Sequence, residues 1–417
     1  MSSKQLPFNI THYLKSPLFK DYLFMGLNQI ALFILPILII PFLLPIIGKT
    51  YFSIILITNS VSSFFLIFID FGISYYGTKR ISILKKKHTV IPFVNIQVLK
   101  LFLILIGLAP FLIINLIVQS NFYLNFIIVY YLAISLQGIL PLWYFQGTSN
   151  FLKITFTNIV NKVFLFVLII LFINEENDWI NYSYFLLISN FFGFLLSLYY
   201  VNKFQKFSLK VLKFDLVKKY FFKSFNYFRF NFISTIYISL GPALMSVLKF
   251  DPVIISDYGV AEKIVRGVRY VFTPLTKVLY PYLSKTYVKS KKLYYNRFRK
   301  TLFLVTILSS LLFLIVFYFS VDIAKFMVKE DYFSTAKIIK SFSLLIIFGT
   351  LSNVFIYLGL IATSKINNSN NLILIASVVY LIFILALNSV LGVFSFVYAV
   401  LLAEIILILG SLYYMKR

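Results

Sequence analysis

The feature that most constrains this chain is a series of continuous apolar runs that recur from one end to the other. Each run is about 20 residues long, which is the length of helix that crosses the hydrocarbon core of a membrane. Hydrophobic residues make up 60% of the 417 residues and charged residues 12%, which excludes an ordinary soluble domain. Because the runs do not alternate at a period of two, a transmembrane β-barrel is disfavoured. The chain is therefore predicted to be an all-α integral membrane protein.

The apolar runs predict twelve transmembrane helices. They lie near residues 22–47, 51–76, 91–118, 122–146, 154–173, 178–201, 221–248, 257–283, 301–320, 337–361, 371–389 and 392–414. The longest polar interruption, the basic linker 202–220, separates six-helix bundles at 1–201 and 221–417. Since six crossings return a chain to its starting side, the bundles are expected to be parallel repeats around a central cavity. The first run is too long for a signal peptide, so no cleavable leader is expected.

The loop charges predict the orientation in the membrane. Of the lysines and arginines in loops, 26 fall in one alternating set, which includes both termini, and 5 fall in the other set. Cytoplasmic loops carry the excess of basic residues. Both termini are therefore predicted to lie in the cytoplasm, with the protein in the inner (cytoplasmic) membrane. The same loop distribution accounts for the net charge of +26 and argues against a nucleic-acid partner.

The stretch 257–285 is apolar enough to cross the membrane, yet it contains several charged residues. On one continuous helix, a polar stripe would span about 80° of the helical wheel. Its members are Glu262, Arg266, Arg269, Thr273 and Lys277. Each ionised side chain costs roughly 2.5–3.5 kcal/mol at the bilayer centre, so the stripe is predicted to face a cavity. Guanidinium groups form paired bonds to phosphate, which favours a diphosphate or acidic sugar as ligand. The alternatives are acids on other helices that neutralise the bases, and a Lys277 that reaches the interface.

Two further charged residues are candidates for function. Asp70 is the only acid well inside the second predicted helix. An intramembrane carboxylate can relay a proton or cation, so Asp70 is a candidate for ion coupling. The alternative is a structural pairing of Asp70 with Lys79 or Arg80. Arg229, in the seventh predicted helix, is a candidate for the lining of an inner vestibule.

The motifs of catalysis are missing from the sequence. The chain has no cysteine and two histidines, and it contains neither a glycine-rich phosphate loop nor a nucleophile elbow. We therefore expect no catalytic residues, no metal and no cofactor, and we predict that the protein is not an enzyme.

Three stretches carry motifs of a known family. The stretch 41–82 ends in Tyr76-Gly77-x-x-Arg80, and 141–155 contains Pro141-x-Trp143-x-Phe145-Gln146-Gly147. The stretch 258–264 contains Tyr258-x-x-Ala261-Glu262-Lys263. Together they resemble the flippases of O-antigen and capsule biosynthesis, which belong to the multidrug/oligosaccharidyl-lipid/polysaccharide (MOP) exporter superfamily.

This resemblance implies a substrate, a direction and partners. The substrate would be an oligosaccharide repeat unit on undecaprenyl diphosphate, moved from the cytoplasmic to the periplasmic leaflet of the bilayer by alternating access. A polysaccharide polymerase and a chain-length regulator are implied as protein partners. Gln146 is the candidate for a substrate contact in the second motif. The family often places a charged residue just after this motif, whereas this chain has Thr148, Ser149 and Asn150.

Two other functions are less consistent with the sequence than the flippase. A multidrug or cation antiporter of the same superfamily would favour acidic residues in its lumen, and here bases predominate in the polar stripe. A polysaccharide polymerase would carry a large periplasmic loop, and every predicted outer loop is short.

Overall fold

The computed structural model describes residues 17–84, 88–119, 123–204 and 211–416, and within these ranges it contains helices and connecting turns but no β-strand. In chain order the helices are α1 Pro17–Asp70, α2 Ile73–Ser82, α3 Val90–Val118, α4 Leu124–Ile139, α5 Leu142–Gly147, α6 Phe151–Phe172, α7 Asn181–Phe204, α8 Phe214–Ser239, α9 Gly241–Val247, α10 Pro252–Tyr270, α11 Thr273–Lys289, α12 Lys291–Tyr318, α13 Ser320–Val328, α14 Tyr332–Phe342, α15 Leu344–Val354, α16 Ile366–Leu391 and α17 Phe394–Lys416. The predicted all-α class is confirmed.

Many of these helices are long and apolar enough to cross a membrane. Within the described ranges nine qualify, or ten if the bent pair α8 and α9 is one span. The predicted count of twelve and the cytoplasmic termini remain predictions. The N-terminal residues 1–16, the basic residues 85–87 and part of the predicted linker, 205–210, lie outside the described ranges.

Helix α1 consists of two arms that meet at Gly48. Gly48 has a φ of 72°, a conformation that glycine adopts without steric penalty. Three prolines, Pro36, Pro41 and Pro45, lie inside the first arm, and the helix continues through them. The loop predicted between the first two membrane helices is thus a single kink.

Two predicted helices are broken in the structure. The seventh predicted helix bends by 65° between α8 and α9, at Gly241-Pro242. The eighth, predicted as one helix over 257–283, is two helices, because α10 ends at Tyr270 and α11 begins at Thr273. Pro274 lies in the first turn of α11, where a missing N–H is tolerated. The prediction of one continuous helix here is therefore wrong.

The helices before the predicted linker pack largely among themselves, as do those after it. In the N-terminal half α1 contacts α6 and α4 contacts α7, and in the C-terminal half α16 contacts α17 and α12 contacts α15. The halves meet where α1 contacts α8 and α10. A Cβ on Gly259 would lie 2.3 Å from Leu56 Cδ1, and a Cβ on Gly267 would lie 2.2 Å from Ile37 Cδ1. These two glycines therefore allow α10 to approach both arms of α1.

Candidate substrate cavity

A polar cavity of about 200 Å³ lies between the two halves of the protein. Its walls come from both arms of α1, the bend between α8 and α9, and α10. The polar side chains that line it are Asn59, Ser60, Ser63, Ser239, Glu262, Lys263 and Arg266. On the apolar side, the rings of Phe33 and Tyr270 stack with centroids 3.7 Å apart. We call this space the polar cavity.

Arg266 presents two hydrogen-bond donors without partners near this cavity. Its side chain is nearly buried, and its Nε donates to Glu262 Oε1 at 3.0 Å. The two terminal nitrogens, Nη1 and Nη2, have no hydrogen-bond partner among the described residues. A buried donor that is left unpaired costs about 1–3 kcal/mol. The guanidinium is therefore well suited to bind the oxygens of an anionic ligand.

Lys263 adds a second positive charge to the cavity wall. Its Nζ lies 5.3 Å from the ring centroid of Phe52, and none of the four ion pairs between described residues includes it. With Arg266 and Lys263 against the single acid Glu262, the lining carries a net positive charge. Lys263 was not predicted as a site residue, because it lies about 100° from Glu262 on the helical wheel and thus off the polar stripe.

Arg269 lies in a separate ion pair. Its Nη1 donates to Glu404 Oε1 at 2.9 Å, and the Ser352 hydroxyl donates to the other carboxylate oxygen of Glu404. Glu404 is fully buried, and a Cβ on Gly349 would lie 2.7 Å from Arg269 Nε. Arg269 does not line the polar cavity. The alternative in which an acid on another helix neutralises the base therefore holds for this residue.

Among the other predicted site residues whose side chains the structure describes, Thr273, Arg229 and Gln146 do not line the polar cavity. Thr273 is half-buried on α11, beyond the break that ends the predicted stripe, and the side chain of Lys277 lies outside the described part of the structure. Arg229 is exposed on α8, and Gln146 is exposed on α5. The structure thus brings together Glu262 and Arg266 from the predicted set, whereas Thr273, Arg229 and Gln146 lie elsewhere.

Asp70 forms a hydrogen bond and an ion pair with residues of its own, N-terminal half. Its Oδ1 accepts a hydrogen bond from Ser74 Oγ at 2.7 Å and lies 3.4 Å from Lys100 Nζ. Lys100 is buried and also donates to the Gly138 carbonyl at 2.9 Å. The ion pair at Asp70 therefore involves Lys100 rather than Lys79 or Arg80. The coupling role of Asp70 stays a prediction.

A cluster of polar contacts joins the two halves near the kink of α1. Lys49 Nζ lies 2.9 Å from Asp257 Oδ1 and donates to the Asp331 carbonyl at 2.8 Å. The same Asp257 oxygen accepts a hydrogen bond from Thr335 Oγ1 at 2.7 Å. The side chain of Asp257 is 1% exposed, so this ion pair is largely shielded from water. We call Lys49, Asp257 and Thr335 the charged clasp.

Replacing Asp257 by asparagine should loosen the charged clasp and open the polar cavity toward that side. The readout is a single cysteine in place of Asn59, which lines the cavity in a chain that has no native cysteine. A small hydrophilic thiol reagent, added from the aqueous face near Lys49, should label this cysteine ~5–30-fold faster. That is the effect of lowering the free energy of opening by about one to two kcal/mol.

Asp322→Asn is the matched control for the clasp, because Asp322 is an exposed acid on α13 that makes no ion pair with any described residue. This control should label at the wild-type rate. Equal labelling of the Asp257→Asn and Asp322→Asn proteins would contradict a closing role for the clasp.

Comparison with known proteins gives relatives over most of the chain. The profile of the family described as polysaccharide biosynthesis protein matches residues 18–287. A putative O-antigen transporter of Escherichia coli (strain K12) is 24% identical over 285 residues, which cover 66% of this chain and 67% of that protein.

Solved structures share the fold. The lipid II flippase MurJ, in an inward closed conformation, superposes with a TM-score of 0.65 at 17% identity, covering 96% of this chain and 88% of that one. An inward-facing multidrug resistance MATE family transporter of the MOP superfamily gives a TM-score of 0.67 at 11% identity, covering 95% and 94%. At these identities the likeness concerns the fold alone. These proteins are transporters or flippases, and none is an enzyme.

Proposed function

This chain belongs to the polysaccharide biosynthesis protein family, and we propose that it is a flippase for oligosaccharide repeat units carried on undecaprenyl diphosphate. It is a multi-pass membrane protein of the transporter type, with the MurJ- and MATE-like fold. The proposal adds the substrate, an O-antigen or capsule unit, and the direction, from the cytoplasmic to the periplasmic leaflet. The observation that carries it is Arg266, which lines a positively charged cavity between the halves and whose two buried terminal nitrogens have no hydrogen-bond partner among the described residues.

The cavity chemistry suits a phosphorylated saccharide. A diphosphate is anionic, and Arg266 and Lys263 supply two positive charges on one wall. Arginine binds phosphate through paired hydrogen bonds, and lysine binds it as a point charge. Asn59, Ser60 and Ser63 on the second arm of α1 offer neutral donors and acceptors for sugar hydroxyls. We therefore assign substrate contact to Arg266, Lys263 and Glu262, whereas Arg229, Arg269, Thr273, Lys277 and Gln146 stay predictions.

The helix lengths support the proposed topology. The first apolar span, Gly26–Ser82, has 57 residues, which is more than twice the length needed for one crossing. The nine single-helix spans of the described ranges become ten if Gly26–Ser82 crosses twice. They become twelve if α8 with α9 forms one further crossing and α10 with α11 forms another. We propose the parallel bundles 1–201 and 221–417, joined by the linker 202–220, with cytoplasmic termini in the inner membrane. A polymerase and a chain-length regulator are the proposed partners.

A cation antiporter fits the polar cavity less well. Its one acid, Glu262, is already bonded to Arg266, so a cationic drug would meet a positively charged wall. The positive charge of the lining therefore favours the flippase over the cation antiporter.

The proposal is tested by transport in proteoliposomes. Purified protein is reconstituted with an undecaprenyl-diphosphate oligosaccharide that is radiolabelled in the sugar, and an added glycosidase reports the fraction in the outer leaflet. We expect that the protein raises the rate of exposure, whereas protein-free vesicles do not. Transport of a cationic dye without movement of the labelled lipid would contradict the proposal and favour the antiporter.

A further inference from the structure

A second cavity, lined by apolar side chains alone, lies beside the polar cavity. Its volume is about 380 Å³, and its walls come from the second arm of α1, from α3 and from the bend between α8 and α9. We call it the apolar groove; its lining includes Val61, Phe65, Ile114, Phe232, Leu244 and Val247. Ile114, Phe232 and Val247 are 39%, 38% and 48% exposed, so the groove opens to the outside of the helix bundle. In a membrane that outside is hydrocarbon.

A thin seam separates the apolar groove from the polar cavity. Ser60 and Ser239 line the polar cavity, whereas the next residues along the chain, Val61 and Leu240, line the groove. At the seam the Ser60 hydroxyl donates to the carbonyl of Ser239, which ends α8. Because Ser60 belongs to the N-terminal half and Ser239 to the C-terminal half, separation of the halves along this seam would connect the two spaces.

The opposite side of the polar cavity is closely packed. There α10 lies against both arms of α1, at Gly259 and Gly267, where no room is left for a Cβ. Phe33 and Tyr270 stack across the same interface. A long chain leaving the cavity on the α10 side would have to displace these packed side chains, whereas on the seam side the apolar groove lies directly beyond the contact between Ser60 and Ser239.

We propose that the apolar groove holds the polyprenyl tail of the substrate while the sugar diphosphate occupies the polar cavity. This inference rests on the proposed function. The head of such a lipid is charged and its tail is apolar; charged and polar side chains line part of the polar cavity, whereas the described lining of the groove has none. Lipid chains are as apolar as the lining, so the groove gains no hydrophobic free energy over the bilayer. Its effect is steric: once the seam opens, it gives the tail a path between apolar side chains.

A blocked groove should therefore select against long tails. Ile114→Trp places a larger ring at the mouth, and Ile113→Trp is the control, because Ile113 is 56% exposed on the same helix but does not line the groove. We expect Ile114→Trp to slow the flipping of the undecaprenyl substrate by about tenfold or more, and to leave the same sugar diphosphate on a geranyl tail unaffected. Ile113→Trp should move both substrates at wild-type rates.

A crosslinking experiment tests occupancy in a protein with an open groove. A photoreactive phenylalanine analogue in place of Phe232 should capture the sugar-labelled undecaprenyl substrate, and excess unlabelled substrate should abolish the signal. Capture of bilayer phospholipid alone, undiminished by substrate, would overturn the tail assignment, as would equal transport by the Ile114→Trp and Ile113→Trp proteins. A wild-type protein that moves neither lipid would instead overturn the proposed function, and the tail assignment with it.

Discussion

Replacing Arg266 by glutamine should slow the flipping of the lipid-linked saccharide by about 10- to 150-fold, the effect of losing roughly 1.5–3 kcal/mol from a charge-assisted bond. The terminal guanidinium nitrogens have no hydrogen-bond partner among the residues that the structure describes, and glutamine removes their charge. Its amide can still donate to Glu262, which keeps that buried acid partnered. The rate is measured in proteoliposomes at equal amounts of folded protein.

Two further variants make the Arg266 result specific. Arg266→Lys keeps the charge but loses the planar pair of donors, so its rate should fall between those of the wild type and Arg266→Gln. Arg299→Gln removes a guanidinium that is exposed on α12 and does not line the polar cavity, so transport should be unchanged. An Arg266→Gln protein that flips at the wild-type rate would remove the main support for an anion site.

The sequence predicts the features that depend on local spacing. Continuous apolar runs specify helices, and Glu262 and Arg266 pair because residues four positions apart lie on one helical face. The partner of Arg269, Glu404, lies 135 positions away, and periodicity carries no information about such distances. For the same reason the sequence presents Lys49 only as a loop charge, although it contacts Asp257.

The prolines mark places where a helix can break, but the sequence does not decide which of them do so. Pro36, Pro41 and Pro45 all lie inside one arm of α1, whereas Pro274 lies in the first turn of a new helix. Proline can occupy either position, since a helix tolerates it in its first turn and neighbouring segments compensate for it inside a membrane. The packing around each proline decides the outcome. The predicted stripe therefore extends to Thr273 and Lys277, whereas the helix that carries it ends at Tyr270.

The ion pair between Arg269 and Glu404 should behave as a structural unit whose two single substitutions are not additive. Glu404 is fully buried, so Glu404→Gln leaves Arg269 with an uncompensated charge, and Arg269→Met leaves Glu404 likewise. Removing one partner of a buried pair costs about 3–5 kcal/mol, whereas replacing both is often close to neutral. We expect each single variant to lose about that much of the unfolding free energy, and the double variant to lose much less than the sum.

The unfolding free energies of the wild type, the two single variants and the double variant form a double-mutant cycle. Each is measured by unfolding the protein in detergent and monitoring the loss of its helical circular dichroism signal. Gly349→Ala is an independent probe, because its Cβ would lie 2.7 Å from Arg269 Nε and should destabilise the protein even though both charges remain. Additive single losses would contradict the pairing. The cycle also separates the two arginines of α10: an Arg269 variant should export little glycan because less protein is folded, whereas the folded Arg266→Gln protein should be present at its normal level and fail in transport itself.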